Sequence, residues 1–191
     1  MWQQREQLEK LDDMTSKTNE IVREIENAVQ SSNSIPAPVV RRWMRVPSIE
    51  VQSALADLLL EHSHRIEPPL SMDEICSAVQ SYYRQCLIQN FKGRGNIPNR
   101  HVAGYELVRW FTSLWSDPAV PRGYLVRLKD MLRELYVESG VPINEIVTAV
   151  LEHLFEVPDV QEFFADWKSD PKLSEAFVQA KEWGDDHTAH H

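Results

Sequence analysis

Apolar residues recur three or four positions apart from Arg100 to Trp183, and this spacing constrains the fold more than any other feature of the chain. Residues at these intervals lie on one face of an α-helix, so the pattern predicts amphipathic helices. The β-branched residues fall at helical positions and not at alternate ones, which argues against strands. We therefore predict an all-α fold, a multi-helical bundle of about six to eight helices with a long N-terminal helical arm.

Breaks in the pattern divide the chain into segments. Closely spaced prolines, Pro36 and Pro38, follow a Ser/Asn-rich stretch, and both features disfavour helix. The predicted domains are an amphipathic helical arm (1–33), a linker (34–47), a helical bundle domain (48–184) and a disordered tail (185–191).

Several residues predict where individual helices begin and end. Helical pattern resumes at Ser48, and Ser71 with Glu74 forms a capping box before the next helix. Asn99 is a suitable cap for the helix that follows. Gly140 suits the left-handed position just after a helix.

The N-terminal arm carries a sparse apolar stripe that resembles a heptad seam. Two registers compete, one through Leu8, Leu11, Thr15, Thr18, Val22, Ile25 and Val29, the other through Leu11, Met14, Thr18, Ile21, Ile25 and Ala28. Such a stripe packs on the protein's own body, or it binds another helix. The second interpretation makes Leu11, Ile21 and Ile25 candidate partner-binding residues and allows a homodimer through this helix.

A basic and aromatic cluster follows the arm, with Arg41, Arg42 and Arg45 around Trp43. Guanidinium forks and an indole ring suit phosphates, lipid headgroups or an acidic partner. The alternative is that Trp43 docks into the body and the arginines pair with acidic groups there. We retain Arg41, Arg42 and Trp43 as candidate partner-binding residues.

The charge of the chain is uneven. Its formal net charge is −9, and residues 152–191 carry ten acidic and only three basic side chains. Acidic surfaces repel nucleic-acid backbones and attract basic partners. The predicted contact face comprises Glu156, Asp159, Glu162 and Asp166. Trp167 or Trp183 would be its aromatic anchor, and the alternative, more common for tryptophan, is that both belong to the core.

The loop from Lys92 to Arg100 places two glycines between basic residues. Glycines let backbone amides approach an anion, so the loop is a candidate anion site, although an exposed connection explains it equally well. A nucleic-acid-binding surface would combine Arg41, Arg42, Arg45, Lys92, Arg94 and Arg100. The acidity of the chain argues against that class.

Residues suited to catalysis do not form a recognisable motif. Metal-binding patterns such as HExxH and CxxC are absent, so we predict no metal site and no cofactor. His153 and Glu156 share a helix face, which favours a solvated pair over an acid/base pair without a nucleophile. Cys76 and Cys86 fall in one helix, too far apart to bridge, and are predicted to be buried. With no membrane-spanning segment or signal sequence, the expected location is cytoplasmic.

Three segments in the C-terminal half carry a resemblance to a known class of proteins. They are His101–Phe111, Leu128–Tyr136 and Asn144–Leu154. Their order resembles that of small helical proteins found among candidate bacterial immunity proteins for polymorphic toxins; residues 1–98 lie outside it. The resemblance implies a non-enzymatic inhibitor whose acidic face occludes a toxin, and it carries over no site residues.

We therefore expect a non-enzymatic protein-binding module, of the immunity type, that blocks a basic toxin or effector. The alternative is an accessory or adaptor subunit of a multi-protein bacterial complex that self-associates through the N-terminal helix.

Overall fold

The computed structural model describes residues 2–89, 91 and 97–188, with the side chains of residues 2–5, 7–13, 187 and 188 left aside. It confirms the all-α class, since the described ranges contain nine α-helices, two 3₁₀ turns and one pair of two-residue strands. The chain forms two compact units. One holds the described residues up to Tyr82 together with Ile97, and the other begins at Tyr83 and includes residues 98–188.

The first unit contains the predicted N-terminal arm. Helix α1 packs along α3, so the arm is part of a folded unit. The elements in chain order are α1 (Trp2–Gln30), β1 (Ile35–Pro36), α2 (Ala37–Met44), α3 (Ile49–His62), a 3₁₀ turn (Ser63–Arg65), β2 (Ile66–Glu67) and α4 (Met72–Ile88). The boundary between the units falls within α4.

The predicted linker, residues 34–47, is wrong over most of its length. Strands β1 and β2 pair in parallel with Ile35 opposite Ile66, and α2 follows directly. Pro38 stands in the first turn of α2. A proline costs nothing there because its missing N–H would have no helical partner.

Arg65 closes the C-terminal end of α1. Its guanidinium donates to the carbonyl oxygens of Ala28 at 2.7 Å, Val29 at 3.0 Å and Asn33 at 2.9 Å, and also to that of Ser31. The last carbonyls of a helix have no partner within the helix, and a cation is favoured at that end. Arg65 therefore fixes the end of α1 within the first unit.

The second unit is organised around α7, which packs against three other helices, α5, α6 and α9. Its elements after the end of α4 are α5 (Arg100–Ser116), α6 (Arg122–Glu138), α7 (Val141–Leu154), α8 (Pro158–Phe163), a 3₁₀ turn (Ala165–Ser169) and α9 (Ser174–Thr188).

The predicted helix caps are largely confirmed. The Val51 amide donates to the Ser48 hydroxyl, and Ser71 and Glu74 form the reciprocal capping box. The side chain of Asn99 caps α5. Gly140 differs from the prediction, because it adopts φ −87° and ψ 178°, an extended conformation, and starts α7.

Aromatic side chains fill much of the interior of the second unit. Phe155 packs edge-on against Phe177 at 5.2 Å between ring centroids, and Phe164 packs in the same way against Trp167 at 5.2 Å. Trp167 is only 1% exposed. It therefore belongs to the core, which is one of the two roles that the sequence allows for it, and it is not a surface anchor.

The C-terminal segment also differs from the sequence prediction. Helix α9 continues to Thr188, so residues 185–188 are helical and not a disordered tail. The rest of the predicted tail, residues 189–191, lies outside the described residues.

Both cysteines lie on α4. Cys76 and Cys86 are both buried, which confirms their predicted burial. Apolar packing accounts for both side chains.

Candidate functional site

Three side chains of the basic and aromatic cluster after the arm form hydrogen bonds with acidic groups inside the first unit. Trp43 is only 3% exposed. Its indole N–H donates to Glu24 Oε2 at 3.0 Å, and Arg42 Nη2 donates to the same oxygen at 2.6 Å. Arg41 Nε pairs with Glu74 Oε1 at 2.6 Å. The structure therefore shows the docked arrangement for Trp43, while the side chain of Arg42 stays 61% exposed and Arg45 is exposed.

The contacts of Glu74 also shift its titration. The hydrogen bond from Arg41, followed by those from the backbone and hydroxyl of Ser71, lowers the pKa of Glu74 from its ordinary value to about 2. These bonds favour the charged carboxylate. The carboxylate thus joins α2 to the first turn of α4.

The candidate residues on α1 are placed differently from one another. Ile25 is fully buried in the first unit and Ile21 is half-buried. Both heptad registers pass through Ile25, so its contacts with its own unit remove a central position from any seam with another chain. The side chain of Leu11 lies outside the described residues.

The structure reduces the basic surface proposed for nucleic acid. Arg100 caps the end of α4, with Nε donating to the Leu87 carbonyl at 2.5 Å and Nη2 to that of Ile88 at 2.8 Å. Lys92 and Arg94, with the glycines of the candidate anion loop, lie outside the described residues.

A groove of about 390 Å³ lies between α1 and α3 in the first unit. Three carboxylates line it, those of Glu26, Glu50 and Asp57. Burial, and then repulsion from Glu61, raises the pKa of Asp57. A row of carboxylates does not by itself define a ligand, and we assign none.

A different arrangement lies in the second unit, on α5, α7 and α9. The ring of His153 packs edge-on against Tyr105 at 5.9 Å and against Trp183 at 4.9 Å between ring centroids. His153 Nδ1 lies 2.9 Å from Glu156 Oε1. Tyr105 is 57% exposed, and His153, Glu156 and Trp183 all retain solvent contact. We call these four residues the His153 cluster.

A cleft of about 200 Å³ opens beside His153, between α5 and α7. Its lining combines apolar side chains with two histidines and a tyrosine, namely His101, Gly104, Tyr105, Val108, Ile146, Ala149, Val150 and His153. A Cβ atom on Gly104 would lie 3.2 Å from Val150 Cγ2 and 3.4 Å from Ile146 Cγ2. The glycine therefore allows the close approach of the two helices that shapes the cleft.

The four predicted acidic contact residues have different surroundings, although all four are exposed. Asp166 pairs with Lys129, whose Nζ also donates to the Phe163 carbonyl at 2.7 Å. Glu156 belongs to the His153 cluster, while Asp159 and Glu162 lie on α8.

The chemistry available at the His153 cluster suits binding. A carboxylate accepts hydrogen bonds only, so His153 Nδ1 must donate to Glu156, and a neutral ring then presents Nε2 as an acceptor. Half-exposed aromatic rings beside a carboxylate attract cations. Within the described ranges, no group of three or more His, Cys, Asp or Glu side chains is placed to hold a metal ion.

The sequence analysis does not include Tyr105 among the candidate site residues. Tyr105 follows His101 by four positions and precedes Arg109 by four, so the three residues form an exposed stripe on α5. An aromatic residue between two polar residues at this spacing is the signal that could have identified it.

Comparisons of the chain with protein-family models, with curated proteins and with solved structures give no match. In the parts of the chain that the structure describes, no helix combines the length and apolar character needed to cross a bilayer.

Proposed function

We propose that this protein acts by binding a basic protein partner, and that the His153 cluster is the centre of its contact surface. An immunity-type inhibitor that blocks a basic toxin or effector is the form of this function that we favour. The observation that carries the proposal is the set of half-exposed aromatic rings, Tyr105, His153 and Trp183, around the carboxylate of Glu156.

The composition of the cluster supports a protein partner. Tyrosine and tryptophan are enriched among the residues that dominate binding energy at protein interfaces, because a large rigid ring buries much area at low entropic cost. Ring edges that contact one another hold the three side chains in place before a partner arrives. Such preorganisation lowers the entropic cost of binding.

The surrounding charge supports a basic partner. Residues 152–191 carry ten acidic and three basic side chains, and Asp159 and Glu162 are exposed along with Glu156. Complementary charge speeds encounter and favours one class of partner over another.

Self-association through α1, the adaptor alternative, has less support. The seam that would pair two chains runs through Ile25, which is fully buried within the first unit. A dimer that used this position would first have to expose an apolar side chain, which costs free energy.

Affinity capture from cells of the organism that encodes the protein tests the proposal. The intact chain is expected to retain one basic protein in stoichiometric amount, and Tyr105→Ala is expected to lose most of it. Val126→Ala, which removes a 44% exposed side chain from α6, is the matched control and should retain the partner. Equal retention by all three chains, or no retained protein, would refute the proposal.

A further inference from the structure

The cleft beside His153 is too small for most free ligands. Its volume of about 200 Å³ lies below the roughly 300–1,000 Å³ typical of small-molecule sites. It is large enough for one long side chain, and the chemistry of its walls determines which side chain would bind there.

The walls of the cleft favour an aliphatic stem. Val108, Ile146 and Val150 are buried, and Ala149 is partly exposed beside them. These four side chains carry no charged group that could contact a bound side chain. A chain of methylene groups would gain free energy there by leaving water.

The rim favours a positive charge at the end of that stem. Tyr105 and His153 line the cleft, and the Glu156 carboxylate is bonded to His153. The bond with His153 uses Glu156 Oε1, which leaves Oε2 to accept from a ligand. An aromatic face and a carboxylate together attract an ammonium group.

We propose that the cleft between α5 and α7 receives a single lysine side chain of the basic partner, with its stem among Val108, Ile146 and Val150 and its ammonium group at Glu156 and Tyr105. Lysine fits better than arginine because its charge is compact and its stem is a simple four-carbon chain, whereas the guanidinium is a wide planar fork. This inference rests on the proposed function and names the group that the site recognises.

The test is an NMR titration of the labelled full chain with N-acetyl-lysine methylamide. Saturable shifts are expected at Tyr105, Ala149 and His153. The norleucine derivative keeps the aliphatic stem and lacks the ammonium group. The arginine derivative keeps the positive charge but replaces the compact ammonium group with a planar guanidinium group. Each should bind about tenfold more weakly, the loss expected for a charge-assisted hydrogen bond.

Three variants connect the titration to the cleft. Glu156→Gln preserves size and removes charge, so affinity should fall about tenfold. Ala149→Leu fills the cleft and should abolish saturable binding. Glu162→Gln removes an exposed carboxylate on α8 and is the matched control, with affinity expected to be unchanged. Amide spectra of α6 verify that each variant is folded.

Several results would overturn the inference. They are shifts that do not saturate, equal affinity for the norleucine or arginine derivative, and an equal loss in Glu162→Gln and Glu156→Gln. If the lysine derivative does not bind but capture of a protein still depends on Tyr105, the cleft assignment fails and the proposed function stands. If the derivative binds in the cleft but no protein is captured, the proposed function fails instead.

Discussion

Two clusters in this protein combine aromatic rings with charged groups, and they differ in how their polar atoms are used. In the first unit, Trp43 is buried and its indole N–H, like the guanidinium of Arg42, is bonded to Glu24. In the second unit, Tyr105 is exposed, and the His153 ring beside it is bonded to Glu156.

The difference shows that residue type alone does not identify a binding surface. Arginine and tryptophan are common at interfaces, yet here they hold α1, α2 and α4 together. What separates the clusters is the exposure of the aromatic ring, because Trp43 is 3% exposed and Tyr105 is 57% exposed.

Trp43→Ala should cause the largest loss of stability. Removing a buried tryptophan leaves a cavity and takes from Glu24 one of its two donors, the other being Arg42, so the free energy of unfolding should fall by about 3–5 kcal/mol. Urea denaturation followed by circular dichroism measures this. A loss within about 0.5 kcal/mol, the range typical of surface positions, would contradict the structural role of Trp43.

Arg65→Met should have the next largest effect. The variant keeps the aliphatic stem and leaves the carbonyls at the end of α1 without their donor, at a cost of roughly 1–3 kcal/mol. Arg45→Met, at an exposed position in the same unit, is the control. Equal denaturation midpoints for the two variants would show that Arg65 does not fix α1.

Glu74→Gln should change how stability depends on pH. Because the pKa of Glu74 is lowered to about 2 in the folded protein, its contribution to stability is fully present above its ordinary pKa and is lost as the pH falls from that ordinary pKa toward about 2. At neutral pH the wild type should therefore be the more stable chain, and the difference should vanish in acid. Thermal denaturation of both chains from neutral to acidic pH measures this difference in stability. A difference in stability that does not depend on pH would argue against the pairing of Glu74 with Arg41.

Tyr105→Ala should leave stability almost unchanged. The side chain is exposed, and surface substitutions usually stay within about 0.5 kcal/mol. The same urea measurement as for Trp43→Ala makes the comparison direct. If Tyr105→Ala destabilised the protein as much as Trp43→Ala, the His153 cluster would be a structural feature and not a binding surface.

Local signals in the sequence predicted the parts of the fold that depend on neighbouring residues. The capping box of Ser71 and Glu74 and the Asn99 cap use side chains three positions from their partners, so the pattern contains the whole interaction. The sequence pattern does not predict helix α2, because the closely spaced Pro36 and Pro38 disfavour helix in general, whereas the first turn of a helix tolerates proline.

Contacts between distant segments left no such pattern. Arg65 bonds carbonyls more than thirty positions earlier, as at Asn33, and Ile35 pairs with Ile66 across a similar separation. An apolar stripe looks the same whether it meets its own unit or another chain, so the sequence allows Ile25 either role, and the structure shows that it is buried in its own unit. The sequence placed Glu156 and Trp183 in the candidate site, but it did not show that His153 and Tyr105 join them.

Site-specific photo-crosslinking can locate the surface that contacts the partner. A photoreactive residue replaces Val102, which lies three positions from Tyr105 on α5, or Val126 on α6; both side chains are 44% exposed. In cells of the source organism, we predict that position 102 forms one prominent crosslink to a basic protein, that position 126 does not, and that adding Tyr105→Ala removes the crosslink. Identical products from both positions, or a crosslink at 102 that persists with Tyr105→Ala, would contradict the claim that the His153 cluster is the contact surface.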